Sequence, residues 1–174
     1  MRQTSFAQMH CSLARSLEVI GDWWSPLIIR DMWLGLRRFD QFVEDLGISR
    51  NLLTDRLSHL VEHGVVERAP YQQRPVRYEY TLAPAGKALV PVLQALTAWG
   101  DEWATPPGGP PLRLRHESCG QVFNPAVACD HCRQILDSDQ VTALPGPGGR
   151  RAPGTRLMAP LLAARAGAQP PNRG

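Results

Sequence analysis

The sequence predicts a mainly α fold with a small β-wing (α+β). Three observations carry this. Four short helical patterns occupy the first third of the chain, each closed by a glycine. Period-two alternation then replaces helical periodicity around Val76–Leu82. A last, long helical pattern follows to Trp103.

The elements come in order. Ser12 is placed to cap a helix whose Leu13, Leu17 and Ile20 share a face, and Gly21 stops it. The next helix begins either at Asp22 or at Ser25, with Pro26 in the favoured first position, and ends at Gly35. A short helix covers roughly Phe39 to Leu46 and stops at Gly47. Ser49 caps a fourth, with Leu52, Leu53, Leu57, Leu60 and Val61 as its apolar stripe and Gly64 as its stop. Val65 and Val66 open a strand. Tyr71 to Pro75 read as the turn, and Val76, Tyr78 and Tyr80 alternate with Arg77, Glu79 and Thr81 in a second strand. The last helix starts near Pro84 and carries Val92, Leu96, Trp99 and Trp103 along one face, with Pro91 expected to bend it. Two helices joined at Gly47 and followed by a β-hairpin make the winged helix-turn-helix plan.

Composition bounds what such a chain does. The 174 residues suffice for one ordinary domain and an appendage, and 43% apolar with 20% charged residues suits a globular chain. No apolar run is long enough for a membrane span, so no membrane partner is expected. The N-terminal stretch lacks an apolar signal core, so a cytoplasmic, thiol-reducing location is expected. The net charge of +3 is a weak argument for nucleic acid. Up to Ala104, 11 Lys/Arg face 12 Asp/Glu, and the remainder has 8 Arg against 4 acids. DNA binding must therefore rest on a local constellation. No phosphate-cradling glycine loop, nucleophile elbow or HExxH is present, so an enzyme is not expected.

The stretch from Cys11 to Trp103 resembles the HxlR-type regulators, a branch of the winged helix-turn-helix proteins. The resemblance rests on Cys11, Gly21-Asp22-Trp23-Trp24, Leu27-Ile28-Ile29-Arg30-Asp31, Gly35 and Arg37-Arg38-Phe39. It continues through Ile48-Ser49, Leu53-Thr54-Asp55-Arg56-Leu57, Leu60, Gly64-Val65-Val66-Glu67-Arg68, Tyr78-Glu79-Tyr80-Thr81-Leu82, Gly86 and Ala98-Trp99. Ala83 departs from it, where members often carry a capping Thr or Ser. The resemblance implies a homodimer joined through the first and last helices, acting on nearby genes, with repression the favoured outcome.

On such a scaffold the fourth helix enters the major groove of an operator, expected to be an inverted repeat. Its early positions are Ser49, Arg50, Asn51 and Thr54, with Asp55, Arg56, Ser58 and His59 beyond. Arg50 suits guanine and Asn51 adenine. Ser49 leaves backbone N–H groups near a phosphate. Arg37 and Arg38 suit the phosphate backbone, and Gln72, Gln73, Arg74 and Arg77 sit on or beside the wing. The competing account is a set of solvated charges. Leu96, Trp99 and Trp103 either close a monomer core or form a dimer face.

TPPGGPP, from Thr105 to Pro111, is a linker that ends the domain at residues 11–104. Residues 112–144 carry His116-x2-Cys119-x9-Cys129-x2-Cys132, the ligand types and paired spacing of a structural zinc ribbon, with Gly120 permitting a tight turn. His131 is an alternative ligand, and three ordinary cysteines in a loose extension is the competing account. Four protein ligands would leave zinc no open catalytic position. Residues 145–174 contain Pro, Gly, Ala and Arg with no acid and are expected to be a disordered basic tail, bearing Arg150, Arg151, Arg156, Arg165 and Arg173. Cys11, at a helix N-terminus, is either an apolar interface residue or a redox sensor, as in some members of the resembled family. The leading functional expectation is a sequence-specific regulator, effector- or redox-responsive in one version. The rival is a zinc-ribbon interaction module whose helical domain only dimerises.

Overall fold

A computed structural model describes residues 5–168. The elements run α1 (Ser12–Ile20), α2 (Ser25–Trp33), α3 (Phe39–Leu46), α4 (Arg50–Glu62), β1 (Val66–Gln73), β2 (Val76–Leu82), α5 (Pro84–Trp103), β3 (Leu114–Arg115), β4 (Val122–Phe123) and α6 (Met158–Ala168), with one short 3-10 turn at Ser138–Gln140. Among the described residues they fall into two compact units, residues 23–136 and residues 5–22 with 137–168.

In the larger unit, α2, α3 and α4 close around Ile28, Ile29, Phe42, Leu53, Leu57 and Leu60, none more than 2% exposed. Each such side chain contributes about 1.5–3 kcal/mol by leaving water. Val65 and Val66 continue this core into the hairpin, where Tyr80 meets Phe42 edge-on with ring centroids 6.5 Å apart. Burial raises the Tyr80 hydroxyl pKa, partly offset by Arg68. Among the described residues one charged group enters the core. Asp31 is 1% exposed, and burial raises its carboxyl pKa against the pull of Arg30, which bonds it at 2.7 Å.

Helix ends follow local chemistry. Gly47 turns the chain between α3 and α4 in a left-handed conformation (φ 63°, ψ 18°). Ser49 caps α4 by accepting the Leu52 N–H. At α1 the expected cap is displaced by one residue. Cys11 takes the extended cap position and Ser12 is the first helical residue. Of the two starts weighed for α2, the structure has Ser25.

The wing is longer than its sequence pattern suggested. β1 runs through Tyr71 to Gln73, pairing antiparallel with β2 from Val66↔Leu82 to Gln73↔Val76, so only Arg74 and Pro75 turn the chain. A register shift between Pro70 and Gln72 interrupts the alternation by which the strand would have been read. A further rung lies outside the hairpin: the Tyr80 N–H donates to the Arg37 carbonyl at 2.8 Å, and Arg38 bridges to Glu79.

α5 packs on α2 and β2. It leaves Val92, Leu96, Trp99 and Trp103 between 57% and 70% exposed in the single chain. A second strand pair, β3 with β4, and an isolated bridge between Ala128 and Ile135 give the Cys/His segment two small hairpins.

In the smaller unit, Glu18 of α1 accepts from Ser5 Oγ and the Phe6 N–H, and the His10 N–H donates to Pro153 O at 2.9 Å. The stretch expected to be disordered contains α6. Ala159, Leu161, Leu162, Ala163 and Ala164 are strong helix formers, and Pro160 lies in the first turn, where it costs no hydrogen bond. The Pro/Gly bias of the preceding residues obscured this run. Arg173 lies outside the described residues. Among the described residues no helix is long and apolar enough to cross a membrane.

Gly86 is the tightest seat in the larger unit. A Cβ there would collide with the Val65 carbonyl oxygen and press on Leu82. Gly86→Ala is expected to lower stability by roughly 1–3 kcal/mol, because backbone must move. Urea unfolding checks this, and an unchanged midpoint would refute the close approach.

Candidate nucleic-acid interface

The buried stripe of α4 fixes what the helix shows outward. At about 100° per residue, Asn51 and Asp55 lie opposite Leu53, Leu57 and Leu60. Ser49, Arg50, Asn51, Thr54 and Asp55 are all exposed. Thr54 donates its hydroxyl to the Arg50 carbonyl at 2.8 Å. Arg56 differs from this set. It lies three residues after Leu53 and four before Leu60, and it is half-buried, as are Ser58 and His59.

Arg50 is held before any ligand arrives. Its guanidinium bonds Asp40 Oδ1 at 2.8 Å and lies 5.1 Å from the Phe39 ring centroid. Both charged side chains are about two-thirds exposed, so the ion pair is weak, at about 0.2–1 kcal/mol. It orients the arginine without withholding it.

Arg38 is seated in a similar way. Its Nε meets Glu79 Oε1 at 3.1 Å and its guanidinium stacks 4.7 Å above the Tyr71 ring. The Gln41 side chain accepts the N–H groups of Arg37 and Arg38, at 3.0 and 2.9 Å. The entry to α3 is thereby tied to the wing. Arg37, Gln73, Arg74 and Arg77 are exposed, and Gln72 is half-buried, bonded to the Arg74 carbonyl.

The sequence named the arginines and not their seats. Asp40, Gln41, Tyr71 and Glu79 were legible as side chains, but the contacts of Tyr71 and Glu79 with Arg38 span more than 30 positions and need the fold. The Asp40–Arg50 pair spans ten residues across the Gly47 turn, and a helix-turn-helix geometry would have predicted it.

Residues 19–107 match the HxlR-like helix-turn-helix family. The chain belongs to that family. It is 44% identical over 137 residues to the uncharacterized HTH-type transcriptional regulator Rv3095 of Mycobacterium tuberculosis, covering 79% of this chain and 87% of that protein. Among solved structures it is similar to PA1607, a candidate transcription factor, with 38% identity, a TM-score of 0.70, and coverage of 80% of this chain and 98% of that one. It is also similar to the redox regulator HypR in its oxidized form, with 32% identity, a TM-score of 0.50, and coverage of 53% of this chain and 96% of that one. The protein is a DNA-binding transcriptional regulator of the helix-turn-helix type.

The four residues expected to bind zinc come as two pairs. His116 Nδ1 lies 3.3 Å from Cys119 Sγ. Cys129 Sγ accepts hydrogen bonds from the backbone N–H groups of Cys132 and His131 and from the Cys132 side chain, in that order of importance, which lowers its thiol pKa. Among the described residues no three His, Cys, Asp or Glu side chains stand together as a ligand group.

Asp40→Ala should leave Arg50 free to sample more rotamers. The expected result is about a two- to fivefold loss of affinity for duplex DNA. Fluorescence anisotropy reads it, and a gain of affinity would mean that Asp40 competes with DNA for Arg50 instead of orienting it.

Proposed function

We propose that this regulator is a homodimeric repressor of an inverted-repeat operator, with α4 in the major groove and the β1–β2 hairpin on the flanking backbone. The observation that carries this reading is the outward set at the start of α4. Ser49, Arg50, Asn51 and Thr54 are all solvent-facing on a helix whose other side is fixed in the core. A bidentate arginine specifies guanine, an asparagine specifies adenine, and the capped N-terminus favours an anion. Arg37, Arg38, Arg74 and Arg77 supply phosphate contacts around it. The dimer follows from α5, whose exposed Val92, Leu96, Trp99 and Trp103 form an apolar stripe of a kind that partner helices cover. Leu13 and Leu17 are exposed on α1. Two readers in a dimer address half-sites about one helical turn apart.

The test is anisotropy on duplex DNA from the region upstream of the protein's own gene, against a scrambled duplex, over a salt series. Binding with two protomers per site is expected for the first. Arg50→Ala should weaken that binding by about 1–3 kcal/mol, roughly 5- to 150-fold, and leave the scrambled duplex nearly unaffected. Arg74→Ala should weaken both and reduce the salt slope by about 0.9. Equal losses on both duplexes with Arg50→Ala would overturn base reading by that residue.

A redox-responsive form of this reading rests on Cys11, half-exposed in the cap position of α1, and on the likeness to the redox regulator HypR. Oxidant treatment is expected to release DNA from the wild-type protein and not from Cys11→Ser. If the variant responds as fully as the wild type, Cys11 is not the sensor.

A further inference from the structure

The segment after α5 contains the same small hairpin twice. In the first, the His116 N–H donates to the Gln121 carbonyl at 2.8 Å and the Gly120 N–H to the His116 carbonyl at 2.8 Å. In the second, the Cys129 N–H donates to the Gln134 carbonyl at 2.8 Å and the Arg133 N–H to the Cys129 carbonyl at 2.9 Å. Each six-residue loop is flanked by a strand rung, Arg115↔Val122 for one and Ala128↔Ile135 for the other. The residue after Cys119 and the residue after Cys132 both have a left-handed backbone: Gly120 at φ 70° and Arg133 at φ 63°. Arg133 is the one non-glycine residue with positive φ among those described. That conformation costs an L-residue about 1–2 kcal/mol.

These hairpins have no apolar reason to hold their shape. Between Leu112 and Leu136 no residue is buried, and Val122, Val127, Ile135 and Leu136 are 45–72% exposed. A segment without a core needs another source of folding free energy. The loops present one. His116 and Cys129 occupy equivalent positions, as do Cys119 and Cys132. In the first loop the imidazole and thiol atoms lie 3.3 Å apart. Two ligands of one tetrahedral zinc, at about 2.0 and 2.3 Å from the metal, are about 3.5 Å apart. The repeated backbone geometry places Cys129 and Cys132 at the corresponding positions of the second loop. The hairpins are joined by residues 124–127 alone, so Phe123 and Ala128 lie within roughly 18 Å even at full extension.

We propose that the two hairpins are the halves of a structural zinc site, closed by His116, Cys119, Cys129 and Cys132. Each hairpin offers a pair of ligands, and zinc joins the pairs. Binding displaces the three thiol protons to solvent and forms one Zn–N and three Zn–S bonds, with no change of oxidation state. The set fills the tetrahedron, so the metal folds the segment and performs no catalysis. The centre so formed carries one net negative charge, in a segment that also holds Arg113, Arg115 and Arg133.

The full-length protein, purified reduced without chelator, should contain one zinc per chain by elemental analysis. Cobalt exchanged into it should give the intense visible absorption of a tetrahedral thiolate site. Cys132→Ser and Cys119→Ser should each reduce retained zinc at least tenfold. His131→Ala should retain it. Arg133→Gly should retain it too, since glycine suits that backbone better, whereas Gly120→Val should weaken it. Circular dichroism of each variant shows that the helical unit remains folded. Sub-stoichiometric zinc with weak six-coordinate cobalt spectra would overturn the proposal. So would full zinc retention in Cys132→Ser, or a Cys129–Cys132 disulfide in protein kept under reductant. None of these readouts depends on operator binding.

Discussion

Everything outward in this protein depends on one inward packing. Ile28 and Ile29 from α2, Phe42 from α3 and Leu53, Leu57 and Leu60 from α4 exclude water from a common centre. Once that stripe of α4 is committed, the rotation of the helix is committed too. Ser49, Arg50, Asn51 and Thr54 face solvent because their neighbours cannot. Gly47 and Ser49 set where the helix begins and the angle at which it leaves α3. The interface is thus specified by apolar residues that it does not contain.

The wing and the helix-turn-helix share further restraints. The rung from Tyr80 to Arg37, the Arg38–Glu79 pair and the Arg38–Tyr71 stack all cross between the entry to α3 and the hairpin. Each polar contact is modest on its own, and together they fix the wing relative to α3. This matters for recognition because phosphate contacts set register before bases are read. The weak seats of Arg38 and Arg50 keep long side chains from sampling many rotamers, which lessens the entropy lost on binding.

Much of this was legible in the sequence, and the reasons differ by element. α3 and α5 have the ends the sequence suggested because Gly47, Pro84 and Trp103 mark them locally. The start of α1 slipped by one residue because Cys11 is not a usual cap. β1 was cut short because the irregularity at Tyr71 breaks period two. α6 is hidden in the Pro/Gly-rich composition of its segment, whose last part is rich in Ala and Leu. At the interface, residue types announced Arg50 and Asn51, whereas the partners that hold Arg38 are long-range and invisible to spacing. Arg56 could have been set apart from the outward residues, since its distance from Leu53 and Leu60 is helical arithmetic.

Gly86 has a consequence that concerns how such a protein changes over generations. Its missing side chain lets α5 rest on the carbonyl of Val65, at the root of the hairpin. The position is buried, and sterics constrain it. A descendant that exchanged its operator, or ceased to bind one, would be free to alter Arg50 and Asn51 within a few substitutions. It would still have to keep this glycine or rebuild the junction. The residue that says least about which operator is read is therefore among the last that drift could erase.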